Sequence, residues 1–369
     1  MSINILYDYY FDFYNQIVTI GGIQTYIHNL VGVCRKLGQK VSVFQIGEED
    51  NRIIVEGYEI ISVRLNKSTD YQSFSDKVAA LTDSVHDCFV FATDAIIPKI
   101  NPFVNSIAIQ HGINWDMPRG KNRNPLVMQL LKARRNYVIM RKASNVRTMI
   151  CVDYNYVNWM RAQSDRVNTK LEVIPNFTRI APSFNKPSDS VNIIFARRLW
   201  WYRGTRVFTE AIQRVLSEYN NISVTIAGDG PDKEWMRDKL LSFPNVHFIQ
   251  YNSEDSIIVH ADKHIAVIPT VGSEGTSLSL LEAMSSQCAV VASDVGGMTN
   301  IVLDGYNGLL VPAGNEGRLY DAIRFLIDNP KERERISSRG YDTVVRSFSY
   351  DKWANRWEAV IKGFVSNAN

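Results

Sequence analysis

Short apolar runs rich in β-branched residues return along this chain, each separated from the next by a helix-length segment. Runs of that kind are how buried parallel strands joined by crossover helices read in sequence. In the first half they are INILYD (3–8), KVSVFQI (40–46), EIISVRL (59–65), DCFVFAT (87–93), NSIAIQHG (105–112), TMICVD (148–153) and LEVIPN (171–176). A polar, proline-bearing stretch, PNFTRIAPSFNKPSDS (175–190), then interrupts the rhythm and reads as an interdomain linker. The rhythm restarts with VNIIFA (191–196), SVTIAGDG (223–230), VHFIQ (246–250), HIAVIPT (264–270), CAVVAS (288–293) and GLLVPAG (308–314). A chain of 369 residues exceeds what one core usually serves, so two α/β domains are expected, over 1–178 and 190–349. A closing helix follows over 350–369, with Trp353, Trp357, Val360 and Ile361 on one face.

A net charge of +3 is too small to imply a nucleic-acid partner, and none is expected. Cys34, Cys88, Cys151 and Cys288 lie far apart with no metal-type spacing, which reads as reduced thiols in a cytosolic protein. No charged n-region with an apolar run opens the chain, and no apolar run approaches the ~20 residues that span a bilayer. The expectation is a protein that is soluble or peripheral to a membrane.

Several segments carry candidate chemistry. In TIGGIQTYIHNLVGVCRKLGQKVSVF, Ile23, Ile27, Leu30, Cys34 and Leu37 have helical spacing, so Gly21 and Gly22 stand at a helix N-terminus. Lacking Cβ atoms, they would let backbone N–H groups and the helix dipole approach a phosphate; the alternative is a plain turn pair. In IIFARRLWWYRGTRVFTEAI, Arg198 and Arg203 flank a loop before a helix that begins near Thr205, where guanidinium forks would clamp a diphosphate. A solvated basic loop is the competing reading. In GSEGTSLSLLEAM, Thr276 or Ser277 caps a helix whose buried stripe is Leu278, Leu281 and Met284. Glu282, four residues after Leu278, points to that inward side, where a carboxylate is costly unless it accepts hydrogen bonds. The vicinal hydroxyls of a ribose fit it; a buried arginine or backbone amides are the structural alternative. Glu274 precedes the cap, and the N–H groups of Gly275, Thr276, Ser277 and Leu278 are available to a phosphate.

His111 follows a strand end, the side on which open α/β folds bind ligands, and reads either as an active-site hydrogen-bond donor or proton carrier, or as a structural residue. The segment 118–148 carries nine basic residues, Arg119, Lys121 and Arg123 among them, and no acid. Leu126, Leu130, Ala133, Tyr137 and Met140 form a stripe among them. It is either a basic amphipathic helix for an anionic membrane or acidic acceptor, or a core stripe with a solvated charged face. Asp229 and Asp232 in AGDGPDKEWM lie in a tight turn with no further ligand nearby, and no metal is expected.

Taken together, GGIQTYIHNLVGVCRKLGQKVSVF, QHG, VIPN, RRLWWYRG, VTIAGDGP and PTVGSEGTSLSLLEAMSSQCAVVASDVGGMTNIVLDGYNGLLVPAG resemble the retaining glycosyltransferases of family 4. The resemblance runs essentially end to end. It implies the GT-B fold, two Rossmann-like parallel-sheet domains facing across a cleft and closing over the donor, with the closing helix packing back on the first domain. The first domain would hold a glycan or lipid-linked acceptor and the second a nucleotide-diphosphate-sugar. By the same resemblance Gly22 approaches the donor phosphates, Arg198 and Arg203 clamp them, and His111 hydrogen-bonds near the transferring sugar. Glu274 contacts the sugar hydroxyls and Glu282 the ribose. No cofactor or metal is implied, since the cations and helix ends neutralise the leaving diphosphate.

There are departures. Arg197 stands where the family usually has glycine, Arg203 where it has lysine, and Asp153 where a serine is typical. Thr276–Ser277 replace the usual Phe–Gly, which leaves the donor sugar open. A GT-B nucleotide-sugar epimerase and a noncatalytic nucleotide-sugar-binding protein share these features. A Rossmann dehydrogenase fits less well, because no G-x-G-x-x-G follows the first strand. The resemblance suggests surface polysaccharide or glycoconjugate synthesis, in the cytoplasm or at the inner face of the membrane.

Overall fold

The computed structural model of the chain describes residues 1–11, 21–112, 124–163, 169–182, 186–187, 189–252, 255–272 and 274–366. Pro118, Arg119, Lys121 and Arg123 of the basic segment and the last three residues of the closing helix lie outside them. The chain forms two compact units, one of Met1–His111, Gly120–Ile174 and Trp353–Asn369, the other of Gly112–Arg119 and Pro175–Lys352.

In the first unit the strands are β1 (Ser2–Leu6), β2 (Lys40–Gly47), β3 (Asn51–Val55), β4 (Tyr58–Arg64), β5 (Cys88–Phe91), β6 (Asn105–Gln110), β7 (Thr148–Cys151) and β8 (Lys170–Val173). They pair in the order β3-β4-β2-β1-β5-β6-β7-β8, parallel throughout except for β3 against β4. The central strands are buried on both faces, which explains their unbroken apolar sequence. Strand β3, absent from the sequence reading, alternates between partly covered and exposed residues at the sheet edge. It is joined to β4 by Glu56 and Gly57, both at positive φ (50° and 80°), the backbone of a two-residue hairpin turn.

The helices of this unit are α1 (Gly22–Lys36), α2 (Tyr71–Leu81), α3 (Pro125–Ala143) and α4 (Tyr154–Gln163). Helix α1 buries Tyr26, Ile27, Leu30, Val31, Val33 and Cys34. Helix α3 starts with proline in its first turn and an Asn124 side chain that accepts from Leu126 N, a strong N-terminal signal. Its stripe is not core: Leu126, Leu130 and Tyr137 are 68%, 72% and 65% exposed, and among its described residues only Ala143 is buried.

In the second unit β9 (Val191–Ala196), β10 (Ile222–Ala227), β11 (Val246–Ile249), β12 (Ile265–Ile268), β13 (Ala289–Ser293) and β14 (Leu309–Val311) form a parallel sheet ordered β11-β10-β9-β12-β13-β14. Its helices are α5 (Thr205–Glu218), α6 (Lys233–Leu240), α7 (Ser256–His260), α8 (Leu278–Ser285), α9 (Glu316–Asp328) and α10 (Pro330–Ser347). Alternate residues of β9 feed two cores. Ile193 and Phe195 join Phe208, Ile212, Leu319 and Ile323 from α5 and α9. Ile194 and Ala196 join Leu280, Leu281, Met284 and Val344 from α8 and α10. Two covered faces make this a doubly wound sheet, which leaves the carboxyl ends of the strands as the place for ligands.

Helix α11 (Tyr350–Ser366) closes the chain. From Trp353 onward it belongs to the first unit, where it buries Trp353, Trp357, Val360, Ile361 and Phe364. The Trp357 indole N–H donates to Tyr26 Oη of α1 at 2.7 Å. Among the described residues no helix is long and apolar enough to cross a membrane.

Candidate active site

The second unit gathers its charged groups where β9 and β12 end. Arg197, the first residue after β9, keeps only 5% of its side chain exposed. It donates through Nη1 to Thr270 Oγ1 at 2.6 Å and through Nη2 to Glu274 Oε2 at 2.9 Å. Arg203 Nη1 donates to that same carboxylate oxygen, and Thr270 Oγ1 donates to it at 2.9 Å. Burial alone would raise the Glu274 carboxyl. Arg197 and Arg203 outweigh it and, with the hydrogen bonds from Arg203 and Thr270, pull the carboxyl down to about 2. Glu274 is therefore a fixed negative charge with two cations on one of its oxygens.

The backbone holds that acid in place. Glu274 O accepts from Gly297 N at 2.7 Å, and a Cβ on Gly296, at φ +53°, would lie 2.1 Å from the same carbonyl. Only glycine fits there. At the other side Gly204, at φ +84°, ends the β9–α5 loop with its Cα so near Pro269 O that a Cβ would come within 1.9 Å. The loop carrying Arg203 is thus seated against the end of β12. The Arg203 guanidinium lies 5.1 Å from the centre of the Tyr202 ring.

Glu282, one turn into α8, has the opposite surroundings. Among the described residues it makes no ion pair and has no buried arginine as partner. Its side chain keeps some exposure, yet its enclosure is dense enough that burial pushes the carboxyl up to about 7, the Ser256 hydrogen bond pulling the other way. Tyr251 lies within electrostatic reach of both Glu282 and Arg197, and its hydroxyl is raised mainly by burial.

Ahead of α8, Ser277 is the N-cap residue in extended conformation and makes no side-chain cap bond; its hydroxyl pairs with Ser279 Oγ at 3.2 Å instead. Thr276 and Ser277 are buried, while Gly275 and Leu278 are partly covered. Leu281 and Met284 form the inward stripe together with Leu280 and Ala283.

The structure brings Arg203 and Glu274 together, with Arg197 and Thr270 as partners the sequence reading did not name for this role. Arg198 lies on the exposed side of the same loop and makes no ion pair among the described residues. Asp229 pairs with Lys233 at 3.2 Å and accepts from Gln250 at 2.9 Å, and Asp232 accepts from the Thr205 hydroxyl at 2.5 Å. The arginine at 197, where the family usually has glycine, was the sequence signal of an unusual ion cluster. Thr270, Ser256 and Tyr251 left none.

In the first unit Gly21 is the extended N-cap of α1 with no side-chain cap bond, and Gly22, the first helical residue, is exposed with no acid in the first turn. His111 follows β6 with Nε2 2.8 Å from Ala92 O. A carbonyl only accepts, so Nε2 carries the proton and Nδ1 presents a lone pair. Burial lowers the imidazole to about 4 despite that bond, so at neutral pH the ring is an uncharged acceptor rather than a proton carrier. Tyr26 packs edge-on against it at 5.1 Å. Asp153 is buried at the end of β7; its Oδ1 accepts from Asn155 N at 2.9 Å, its Oδ2 has no partner among the described residues, and burial raises the carboxyl.

Residues 176–343 match the family Glycosyl transferases group 1. The chain is 30% identical over 146 residues to a phosphatidyl-myo-inositol mannosyltransferase of Mycobacterium leprae, a match covering 39% of each protein. It spans half or less of the length of the first curated relatives it matches. Among solved structures, the sucrose-phosphate synthase of Thermosynechococcus elongatus superposes with a TM-score of 0.76 at 15% identity, over 99% of both chains. The Anabaena protein Alr3699/HepE, in complex with UDP-glucose, gives 0.73 at 14% identity, over 98% of this chain and 100% of its own. At such identities the likeness is one of fold. The chain has the GT-B fold of two parallel-sheet α/β domains, and the ion cluster from Arg197 to Gly297 lies wholly within the stretch similar to group 1 glycosyl transferases.

Proposed function

We propose that this protein is a retaining glycosyltransferase of family 4. It moves a sugar from a nucleotide-diphosphate-sugar to a glycan or lipid-linked saccharide in surface polysaccharide or glycoconjugate synthesis, without a metal ion. The observation that carries the reading is the pair of acids on the β12–α8 segment with opposite surroundings: Glu274 gripped by two guanidiniums, and Glu282 enclosed beside the Ser256 hydroxyl with no ion pair among the described residues. A nucleotide-sugar donor needs both kinds of place. Its diphosphate seeks cations and helix N-termini, and its two sugars offer hydroxyl donors.

In this reading Arg203, the uncapped N-terminus of α8 and the exposed Arg198 take the diphosphate, and Glu282 accepts from the ribose hydroxyls. Glu274 accepts from the transferring sugar. On the first unit the Gly21–Gly22 backbone approaches a phosphate and His111 Nδ1 accepts from a sugar hydroxyl. The diphosphate departs from the face on which the acceptor hydroxyl attacks, and a phosphate oxygen takes the acceptor proton as the new glycosidic bond forms. Guanidiniums and helix dipoles supply the charge stabilisation that a metal supplies elsewhere. Neither glutamate is assigned as nucleophile. Support comes from the group 1 match and from a fold shared with a protein crystallised with UDP-glucose. The exposed Leu126, Leu130 and Tyr137 among the basic residues of α3 suit peripheral contact with an anionic membrane at its inner face.

Incubating the protein with UDP-, GDP-, ADP- and dTDP-sugars, with and without saccharide acceptors, tests the reading through nucleotide release. Slow release from at least one donor is expected, with Glu282→Ala weakening nucleotide binding and Glu274→Ala mainly lowering turnover. No binding and no release from any donor would sink it, and an epimerised sugar nucleotide appearing without acceptor would favour the epimerase reading.

A further inference from the structure

Among the described residues three hydrogen bonds reach the Glu274 carboxylate, from Arg197, Arg203 and Thr270, and all three fall on Oε2. The second oxygen, Oε1, has no hydrogen-bond partner among the described residues. The two arginines differ in what else they can do. Arg197 is held at both ends of its fork, by Glu274 and by Thr270, and is almost wholly covered. Arg203 keeps 26% of its side chain exposed and reaches the carboxylate through Nη1, with an aromatic ring beneath its guanidinium. One of these cations is built in, and the other has reach. A diphosphate would draw Arg203, because two phosphates offer a bidentate guanidinium more than the third bond to an oxygen already served twice.

We propose that Arg197 is a positioning residue for Glu274: it stays on Oε2 when Arg203 turns to the donor's diphosphate, and so keeps the carboxylate in place with Oε1 presented to one hydroxyl of the transferring sugar. The inference rests on the glycosyltransferase reading and deepens it. Two cations on one carboxylate leave one positive charge in excess, so losing Arg203 to the ligand leaves a matched pair and no orphaned buried acid. The pinned backbone completes the arrangement, since Gly297 N holds the Glu274 carbonyl from the other side.

Among the described residues the charged groups facing Glu274 are Arg197 and Arg203; Tyr202 faces Arg203, and Tyr251 faces Arg197. Once Arg203 has turned to the diphosphate, removing Arg197 leaves the Thr270 hydrogen bond to oppose burial, so the carboxyl protonates at a higher pH than in the wild type. The test uses the full chain and whichever donor of the UDP-, GDP-, ADP- and dTDP-sugar panel the wild type turns over. Arg197→Met is expected to lower kcat by about 10²-fold, the order of effect of misplacing a reacting group, with donor KM changed far less. Its kcat should also fall as pH drops from 8 to 6, a limb that the wild-type carboxyl, held at about 2, does not produce. Arg197→Lys should recover part of the rate and of the pH profile. In a Glu274→Gln background Arg197→Met should cost little more, with thermal melting used to show that each variant is folded. Wild-type kcat and pH profile in Arg197→Met would overturn the proposal, as would a loss equal at every pH or undiminished in the Glu274→Gln background. No turnover by the wild type from any donor would instead take down the glycosyltransferase reading, and this inference with it.

Discussion

Glu282 carries a measurable conflict between stability and binding. Its folded carboxyl lies near 7 and the ordinary value is 4.5, so the group gives up stability on ionising. That cost is absent at pH values below 4.5, grows as pH rises towards 7, and is complete above it. Ribose hydroxyls, as donors, need the ionised form. Glu282→Gln is therefore expected to raise the Tm of the ligand-free protein at pH 8 and to leave it nearly unchanged at pH 4.5. Nucleotide binding by the wild type should strengthen between pH 6 and 8, and that of Glu282→Gln should stay flat and weaker. Melting curves and titration calorimetry at those pH values check both; an equal Tm difference at both ends of the range would show that burial does not govern this carboxyl. An enclosed acid was legible from the apolar helix around Glu282, although Leu278, expected on its buried stripe, is only partly covered and Leu280 and Ala283 join the stripe instead. The partners of Glu274 were not, because Arg197 sits 77 positions away and meets it only when β9 and β12 lie side by side. The His111 tautomer also depended on a carbonyl, that of Ala92, 19 residues back, which no local pattern marks.

Among the elements, strands buried on both faces announced themselves because their sequence must be apolar at every position. Edge strand β3 did not, since NRIIV between charged and turn residues reads equally as loop, and its hairpin rests on a non-glycine, Glu56, taking a left-handed backbone. Helix α3 shows the opposite failure. Periodicity places its apolar residues on one face but does not say whether anything covers that face, and here Leu130 is 72% exposed with the basic side chains of the same helix around it. A surface of that kind favours anionic lipid, through ~0.8 kcal/mol per buried CH₂ and about 1 kcal/mol per cation near the surface. The expected result is flotation of the full chain with phosphatidylserine-containing liposomes at low salt, weakening as salt is raised. Leu130→Asp should abolish flotation and leave Tm within about a degree, because an exposed site contributes little to the fold. Failure of the wild type to float under those conditions would return the helix to a plain solvated surface.

At the scale of the molecule, the two sheets were legible as two rhythms of apolar runs with a proline-bearing break between them. The unit built around the second rhythm is nearly continuous in sequence, and the first needs a segment from the far end of the chain. Trp357 is fully buried there and its indole N–H satisfies Tyr26 Oη, so the first unit is completed by residues more than 300 positions from α1. The second unit carries its own two cores and, in the proposed function, the donor's main contacts.

Units with separate cores are expected to unfold as separate cooperative blocks, each answering to its own perturbation. Trp357→Ala removes a large buried ring and one hydrogen bond to the buried Tyr26 hydroxyl, a loss of about 3–5 kcal/mol that belongs to the first unit. A nucleotide at 100 times its Kd adds about 2.7 kcal/mol to whatever block binds it, which in the proposed function is the second unit, where Glu282 and Arg203 lie. Scanning calorimetry should accordingly resolve two transitions, with Trp357→Ala lowering one and the bound nucleotide raising the other. The two effects should be independent, so that the variant with nucleotide shows both shifts at their separate sizes. A single transition moved by both perturbations would mean that the chain folds as one block, and that the stretch from Ile174 to Pro175 is a strand-to-strand connection rather than a domain boundary.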